Sequence, residues 1–415
     1  MSIRESHTGA PRLVCDQPAW GKLYRGSPLR RRVQVALSLE LAAFGMAVVV
    51  SMVNFALPLL AMRLGASPFQ LGVVGTVGPL CYTLAAPFTG RLADRLRPKR
   101  LMIAGAVIYA LVYTGIVWTE RVEDLLPPVG LGGAVVALFW PPLAAWIAEG
   151  KDREALARAL GEYNVAWCTG VVAGPLLGGL AFHVNFRLPF WGAAGLNMAI
   201  IALLVGVPGG SGAPTRAEAD PPSGVRHPML YVIWVANFAG YFALGTVRAL
   251  FPKLGTELGF SPKALGILMA LISLAQLATF VHYRTKAGRD VRGLKPLVAA
   301  QALAVGGMGL VSISKEAYGF ALGFLLLGFL LGTTYSLSLF HSLYGQVQMG
   351  AYSGLNEAIV GSGILVGPFV GGWVAQHSGL RAPYVLCALI VAGAVTIEGV
   401  LLRHGARNSP KAERP

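Results

Sequence analysis

Residues 58–72, PLLAMRLGASPFQLG, recur as PKLGTELGFSPKALG at residues 252–266, an offset of 194 positions (252 − 58 = 194). The identical pairs are Pro58 and Pro252, Leu60 and Leu254, Leu64 and Leu258, Gly65 and Gly259, Ser67 and Ser261, Pro68 and Pro262, Leu71 and Leu265, and Gly72 and Gly266. A second block repeats at an offset of 193 (354 − 161 = 193). Its pairs are Gly161 and Gly354, Gly170 and Gly363, Gly174 and Gly367, Pro175 and Pro368, Gly178 and Gly371, and Gly179 and Gly372. The chain therefore contains one unit twice.

The composition of the chain identifies the solvent around it. Hydrophobic residues make up 55% of the 415 residues and charged residues only 13%, and the mean hydropathy is +0.61. A soluble protein of this composition would lack the polar surface to cover itself, so we expect most of the chain to lie in lipid. Duplicated halves of the same orientation in such a chain are typical of secondary transporters, whose substrate site lies between the halves.

Apolar runs of about twenty residues, bounded by charges or turn residues, predict twelve membrane spans. They cover roughly residues 33–61, 69–90, 100–118, 126–148, 158–182, 188–207, 229–251, 262–283, 294–313, 317–343, 352–376 and 382–402. The predicted fold is an all-α membrane protein of two six-helix repeats related by a pseudo-twofold axis. Its parts are a cytoplasmic tail at 1–32, a bundle at 33–207, a polar cytoplasmic linker at 208–228, a bundle at 229–403 and a cytoplasmic tail at 404–415.

The distribution of Lys and Arg predicts the orientation. With twelve spans, 26 of the 34 basic residues lie on the side of the two termini, and seven lie on the opposite side. Cytoplasmic loops carry such an excess, so we expect both termini in the cytoplasm and the chain in the inner membrane. The same excess accounts for the net charge of +15 without a nucleic-acid partner. Residues 1–32 lead into a full-length span with no small-residue cleavage site and are interpreted as a retained tail.

The loop after span two, residues 90–100, reads GRLADRLRPKR. It resembles the signature loop of the major facilitator superfamily, with Gly90, Asp94, Arg95 and Lys99 at matching positions. The resemblance, together with the duplicated six-span plan, covers nearly the whole chain. It implies that Asp94 latches the two halves on the cytoplasmic side, against the N-terminal end of span eleven. The alternative for the basic residues is that they only set the orientation.

The loop also departs from the family pattern and has a charged neighbour. Arg97 stands where the pattern usually has Gly, and the corresponding loop of the second half has Gly288 at the acidic position, so only one good latch is expected. Glu149 and Arg153, between spans four and five, resemble the charge cluster that accompanies the loop in the family. Solvation at the membrane interface is the alternative for that pair.

Span five carries a glycine motif that resembles the antiporter motif of the family, which is associated with proton-coupled efflux. Its residues are Gly170, Gly174, Pro175, Gly178 and Gly179. Glycines four residues apart also allow close helix packing, and the near-copy in span eleven favours that alternative. Leu126 stands about where efflux members of the family carry an arginine in span four, which weakens the resemblance to drug antiporters.

Polar and ionisable groups inside spans are costly and are therefore candidates for function. Glu40 and Asn54 lie on one face of span one, and Asn237, Tyr241 and Arg248 lie on one face of span seven. The repeat offset relates these two faces, and the resemblance implies that spans one and seven line the central cavity. We expect Glu40 to load and release the coupled proton, unless it reaches back toward the basic residues at 30–32. We expect Arg248 to bind an anionic or carbonyl group or to balance Glu40, unless it extends to the membrane surface.

Three weaker candidates remain. His341, with Thr334 and Ser338, forms a polar stripe on span ten that either faces the cavity or bonds its own helix. Trp140 precedes two prolines and is either an aromatic gate at a bend or a packed ring. Glu398 lies five residues before Arg403, and we expect it to extend to the membrane surface.

The sequence excludes several classes of function. It has no glycine-rich phosphate loop and no metal-ligand spacing, so we expect no ATP-driven pump, no enzyme, no metal and no cofactor. The expected protein is a monomeric secondary transporter that moves a small organic molecule by alternating access, with protons and the bilayer as its other partners. Proton-coupled efflux is the first interpretation. Proton-linked uptake of an organic solute is the alternative, and a non-transporting sensor or assembly protein on the same fold is a third.

Overall fold

The computed structural model describes residues 28–93, 96–149, 151, 153–207, 228–285, 294–343 and 349–408. The predicted linker and both predicted tails lie almost entirely outside these residues. The α-helices are Pro28–Arg63, Pro68–Ala93, Pro98–Gly115, Leu126–Val136, Trp140–Ala148, Arg153–Val184, Leu188–Gly206, Pro228–Glu257, Pro262–Thr285, Leu294–Ile313, Ala317–Leu343, Met349–Ser378 and Ala382–Asn408. They supply twelve segments that are long and apolar enough to cross a membrane, which confirms the predicted all-α, twelve-span fold.

The repeated stretch that opened the sequence analysis forms the turn between spans one and two, and again the turn between spans seven and eight. Gly65 and Gly259 end the first helix of each pair with φ of 84° and 86°, a left-handed conformation that favours glycine. Ser67 then caps the next helix, since its Oγ accepts from Gln70 N at 3.2 Å and its own N donates to Gln70 Oε1 at 2.9 Å. In the second half Ser261 Oγ likewise accepts from Ala264 N at 3.3 Å, but alanine cannot return the bond as Gln70 does.

Span four is broken rather than continuous. Its first helix ends at Val136, and its second begins at Trp140 with Pro141 and Pro142 in the first positions. Proline is well accommodated in a first helical turn but not in a helix interior, which explains why the break falls here. Trp140 is thereby placed at the bend, where its ring meets Tyr163 of span five at 6.4 Å between centroids.

The glycine motif of span five packs span five against span one. A Cβ on Gly170 would lie 2.5 Å from Phe44 O, and a Cβ on Gly174 would lie 2.7 Å from Met52 N. The copy in span eleven contacts span seven in the same way, with Gly363 against Phe238 O at 2.7 Å. Each glycine series allows two helices of one half to approach closely. Close packing of these helices is therefore one role of the motif in both halves.

The two ends of the molecule differ. We call the end where span one begins and span twelve ends the termini face, and the other end the opposite face. Near the opposite face the halves touch backbone to backbone. A Cβ on Gly72 of span two would lie 2.9 Å from Gly372 Cα of span eleven, and a Cβ on Gly179 of span five would lie 3.0 Å from Gly266 Cα of span eight.

Hydrogen bonds reinforce this closure. Lys253 Nζ of the second half donates to Ala66 O of the first at 3.2 Å, and Thr76 Oγ1 donates to Leu365 O at 3.1 Å. Span one also contributes Phe55 to the apolar core of the second half. The protein is thus closed at the opposite face, and any path between the halves starts from the termini face.

Candidate functional site

A cavity of about 160 Å³ lies between the halves and is lined by residues of both. Spans one, four, five, seven and eight line it with Ala47, Val50, Ser51, Asn54, Phe55, Trp140, Trp167, Val171, Pro175, Arg248 and Met269. Most of these side chains are apolar or aromatic, and the polar ones are Ser51, Asn54 and Arg248. An apolar wall with a few convergent polar groups is the usual form of a small-molecule site.

The repeat explains why Asn54 and Arg248 meet in this cavity. They are separated by 194 positions (248 − 54 = 194), the same offset that relates the two halves. Each therefore occupies the same position on its own half, and the pseudo-twofold axis brings the two positions together. Arg248 lines the cavity instead of extending to the membrane surface.

Ser51 lies in the wall and is already bonded. Its hydroxyl donates to Ala47 O at 2.5 Å within span one and approaches Gly170 O of span five at 3.3 Å. Its first role is therefore to join two helices at a point where the glycines bring them close. Asn54 lies about one turn away on the same face of span one and is exposed to the cavity. Its side chain therefore remains available to a substrate.

Glu40 does not line the cavity. It lies half-buried near the termini face of span one, within electrostatic range of Glu162 on span five. Fourteen residues separate Glu40 from Asn54, which is about 21 Å along a helix at 1.5 Å per residue. Glu40 is therefore too far from Arg248, at the level of Asn54, to serve as its counter-charge.

Asn237 and Tyr241 of span seven do not line the cavity either. Asn237 is fully buried and donates from Nδ2 to Asn356 Oδ1 of span eleven at 2.8 Å. The Ser338 hydroxyl of span ten donates to the same Asn356 oxygen at 2.6 Å. Tyr241 is buried as well, and its hydroxyl accepts from Gln276 Nε2 at 3.3 Å. These polar groups join spans seven, eight, ten and eleven, whereas the sequence analysis expected Asn237 and Tyr241 on the cavity wall.

A carboxylate that the sequence analysis passed over lies between the halves. Glu357 of span eleven is exposed, and its Oε1 accepts from the Tyr335 hydroxyl of span ten at 3.0 Å. Tyr82 and Tyr163 of the first half and Tyr241 of the second lie within electrostatic range of it. We call these five residues the Glu357 cluster. An ionisable residue inside a predicted span was a usable signal, and the rule that selected Glu40 applies equally to Glu357.

Several predicted residues fall outside what the structure describes. Asp94 and Arg95 are not described, and neither are the side chains of Arg153 and His341. The predicted latch by Asp94 thus stays a prediction. Gly90 lies near the end of the span-two helix, and Glu149 lies half-buried just after the second helix of span four.

Lys99 of the signature loop bonds within its own half. Its Nζ donates to Val205 O at 2.9 Å and to Val207 O at 2.6 Å, at the end of the span-six helix. Carbonyls at a helix C-terminus lack partners inside the helix, and a cation there also complements the helix dipole. Lys99 therefore caps span six.

Replacing Lys99 with methionine is expected to lower the stability of the first half by about 1–2 kcal/mol, because two helix-end carbonyls lose a charged donor. Thermal unfolding of the purified protein in detergent measures the effect as a lower Tm. Arg100→Met, at the exposed neighbouring position, is the control and should leave the Tm unchanged. Equal Tm values for the two variants would contradict the capping role.

Glu398 corrects a prediction. It was expected to extend to the membrane surface, but it is 1% exposed, and its Oε1 accepts from Gln301 Nε2 of span nine at 2.6 Å. The amide of Gln301 provides a partner inside the bundle, which removes the reason to reach for water. Glu398 thus belongs to the packing of spans nine and twelve, away from the central cavity.

Comparison with known proteins agrees with this architecture. The chain is 23% identical to multidrug resistance protein 2 of Bacillus subtilis over 335 residues, 74% of this chain and 80% of the relative. It is 23% identical to the quinolone resistance protein NorA of Staphylococcus aureus over 355 residues, 82% of this chain and 90% of the relative.

Solved structures give the same fold. A bacterial homolog of the human lysosomal transporter Spinster, in an inward-facing and unoccupied conformation, superposes with a TM-score of 0.74 at 14% identity. The match covers 94% of this chain and 100% of that one. The nucleoside transporter NupG superposes with a TM-score of 0.72 at 12% identity, over 89% of this chain and 99% of that one.

The family model described as Major Facilitator Superfamily matches residues 39–355 and 233–415. The two matches together cover most of the chain and overlap across the middle, as expected for a duplicated unit. With twelve spans, two equivalent halves and a cavity between them, the chain belongs to the major facilitator superfamily, a family of membrane transporters that are not enzymes.

Proposed function

We propose that this transporter exports a small amphiphilic organic molecule across the inner membrane in exchange for protons. The observation that carries the proposal is the cavity between the halves, which Asn54 and Arg248 line from equivalent positions together with aromatic side chains. The cavity is sealed at the opposite face by the contacts of Gly72 and Gly179. Rocking of the halves about this point would open the site to one side at a time.

The direction of transport rests on the relatives and on the charge pattern. Relatives that match most of this chain carry names of multidrug and quinolone resistance. The excess of Lys and Arg on the termini face supports a cytoplasmic position for that face. The described conformation would then be the one that loads a substrate from the cytoplasm, which is the first step of efflux.

Proton-linked uptake of an organic solute is the second candidate. Leu126 at the start of span four offers no charge where efflux members of the family carry an arginine. The glycine motif of span five does not separate the two directions, because its contacts with span one are matched by those of span eleven with span seven. Only a measured flux distinguishes export from uptake.

We assign the coupled proton to Glu40. Its neighbour Glu162 is a like charge on an adjacent span, and Glu162 is exposed on the termini side. Two nearby carboxylates repel each other, and a proton held by either of them relieves that repulsion. Because the pair lies between spans one and five, movement of span one would change its access to water.

Proteoliposomes with an internal pH-sensitive dye and an imposed proton gradient test the proposal. Cationic, neutral and anionic amphiphiles are scanned for substrate-dependent proton flux. We expect protons to move opposite to substrate, and we expect Glu40→Gln to abolish this flux while Glu316→Gln, on an exposed loop, retains it. Protons moving with the substrate would establish uptake. Full coupled flux in Glu40→Gln would remove the assignment of the proton to Glu40.

A further inference from the structure

The Glu357 cluster has the composition of a cation site. A single carboxylate is hydrogen-bonded to Tyr335 and lies within electrostatic range of Tyr82 and Tyr163 from the first half and of Tyr241 from the second. No Lys, Arg or His of the described residues forms an ion pair with Glu357, and its one hydrogen bond there comes from the Tyr335 hydroxyl. Among the described residues Glu357 is thus an exposed carboxylate near aromatic rings with no cation paired to it, and such an arrangement attracts an organic cation.

The position of the cluster connects it to the central cavity. Asn356, next to Glu357, bonds Asn237, which precedes Arg248 by eleven residues on span seven. Glu357 is therefore about 16 Å closer to the termini face than Arg248, at 1.5 Å per residue. The ring of Trp140, which lines the cavity, packs against Tyr163 of the cluster. Trp140 and Tyr163 thus connect the cavity wall to the surroundings of Glu357.

The size of the cavity supports the same connection. A volume of about 160 Å³ is well below the ~300–1,000 Å³ of a pocket for a drug-sized ligand. A molecule of that size seated against Arg248 would extend beyond the cavity, and the exposed side chain of Glu357 lies on its termini side. The groups that it would meet there are those of the Glu357 cluster.

We infer that Glu357 and the four tyrosines form a second subsite of the transport path, which binds the cationic group of an aromatic or amphiphilic substrate. The inference rests on the proposed transport function and names the substrate class of its site. Arg248 and Glu357 give the path opposite charges at its two ends. Because two tyrosines come from each half, rocking of the halves changes the distances within the subsite, and with them its affinity for the cation.

Equilibrium binding to the purified full-length protein in detergent tests the inference independently of transport. The probes are tetraphenylphosphonium and tetraphenylborate, which have nearly the same shape and opposite charge. We expect wild-type protein to bind tetraphenylphosphonium, and we expect Glu357→Gln to raise its Kd at least about tenfold, the loss of one charge interaction supported by aromatic rings. Binding of tetraphenylborate should be unchanged or tighter in the same variant.

Two further variants sharpen the test. Glu316→Gln removes the same charge from an exposed loop and should leave both Kd values unchanged. Tyr335→Phe removes the hydroxyl that bonds Glu357 but keeps the ring, so its effect on tetraphenylphosphonium should be smaller than that of Glu357→Gln. A correctly folded Glu357→Gln protein is recognised by an unchanged elution volume and Tm.

An unchanged Kd for tetraphenylphosphonium in Glu357→Gln would overturn the inference, and so would a folded wild-type protein that does not bind this cation. Neither result would contradict the proposed export, because the proton-flux experiment tests export with neutral and anionic substrates as well. Conversely, a selective loss of cation binding in Glu357→Gln would support the subsite even if the wild-type protein showed no proton flux. The absent flux would contradict proton coupling alone.

Discussion

Replacing Arg248 with methionine is expected to weaken the binding of substrates that carry a carboxylate or carbonyl oxygen by about ten- to a hundredfold. A hydrogen bond to a charged group contributes about 1.5–3 kcal/mol, and each 1.4 kcal/mol is a factor of ten in Kd. Arg248 lines the central cavity, and it is the positive charge among the residues that do so. Methionine keeps most of the side-chain volume, so the change removes the charge with little loss of packing. Equilibrium binding of matched substrates with and without the oxygen group measures the effect.

The matched control is Lys263→Met, which removes a positive charge from an exposed position on span eight. It should leave every Kd unchanged, because Lys263 is outside the cavity. Arg248→Lys is expected to recover part of the affinity, since lysine keeps the charge but not the planar two-pronged donor. If Arg248→Met binds all substrates as tightly as wild type, Arg248 does not bind substrate, and its assignment to the cavity end of the transport path is wrong.

The fold was predictable from the sequence because lipid imposes strict requirements on a chain. A span needs about twenty apolar residues, and the repeat at an offset of 194 showed that the second half copies the first. The predicted range 262–283 differs by two residues from the helix Pro262–Thr285. The pairing of Asn54 with Arg248 in one cavity also followed from the repeat. Both results depend on symmetry and periodicity, and a single sequence is enough to reveal these.

The rest of the site depends on how helices dock, which one sequence does not display. Asn237 was expected on the cavity wall, but it bonds Asn356, because the glycines of span eleven bring that helix against span seven. The tyrosines around Glu357 come from four spans, and no spacing in the sequence relates them. Glu357 itself was detectable as an acid in a span, while its surroundings required the structure. The span-five glycines likewise resembled a functional motif, but their contacts with span one, and that of Gly179 with span eight, required the structure.

Replacing Gly179 with valine is expected to reduce transport at least a hundredfold by preventing closure at the opposite face. A Cβ at this position would lie 2.6 Å from Pro262 O and 3.0 Å from Gly266 Cα, both backbone atoms of the other half. Backbone in a packed helix cannot move aside as the end of a side chain can, so the halves must separate. The variant should therefore favour the state that is open at the opposite face. A transporter held in one state cannot complete its cycle.

Labelling distinguishes this effect from misfolding. A cysteine at Asn54, in a background without the native cysteines, reports access to the cavity, and a membrane-impermeant maleimide is added from the opposite face. We expect faster labelling in the Gly179→Val protein than in its parent. Gly161→Val is the control, because it makes the same change in the same helix at a position with no atom within 4 Å. Both substitutions remove a helix glycine, so a difference between them reports the contact with span eight. Equal labelling and equal transport in the two variants would show that this contact does not close the opposite face.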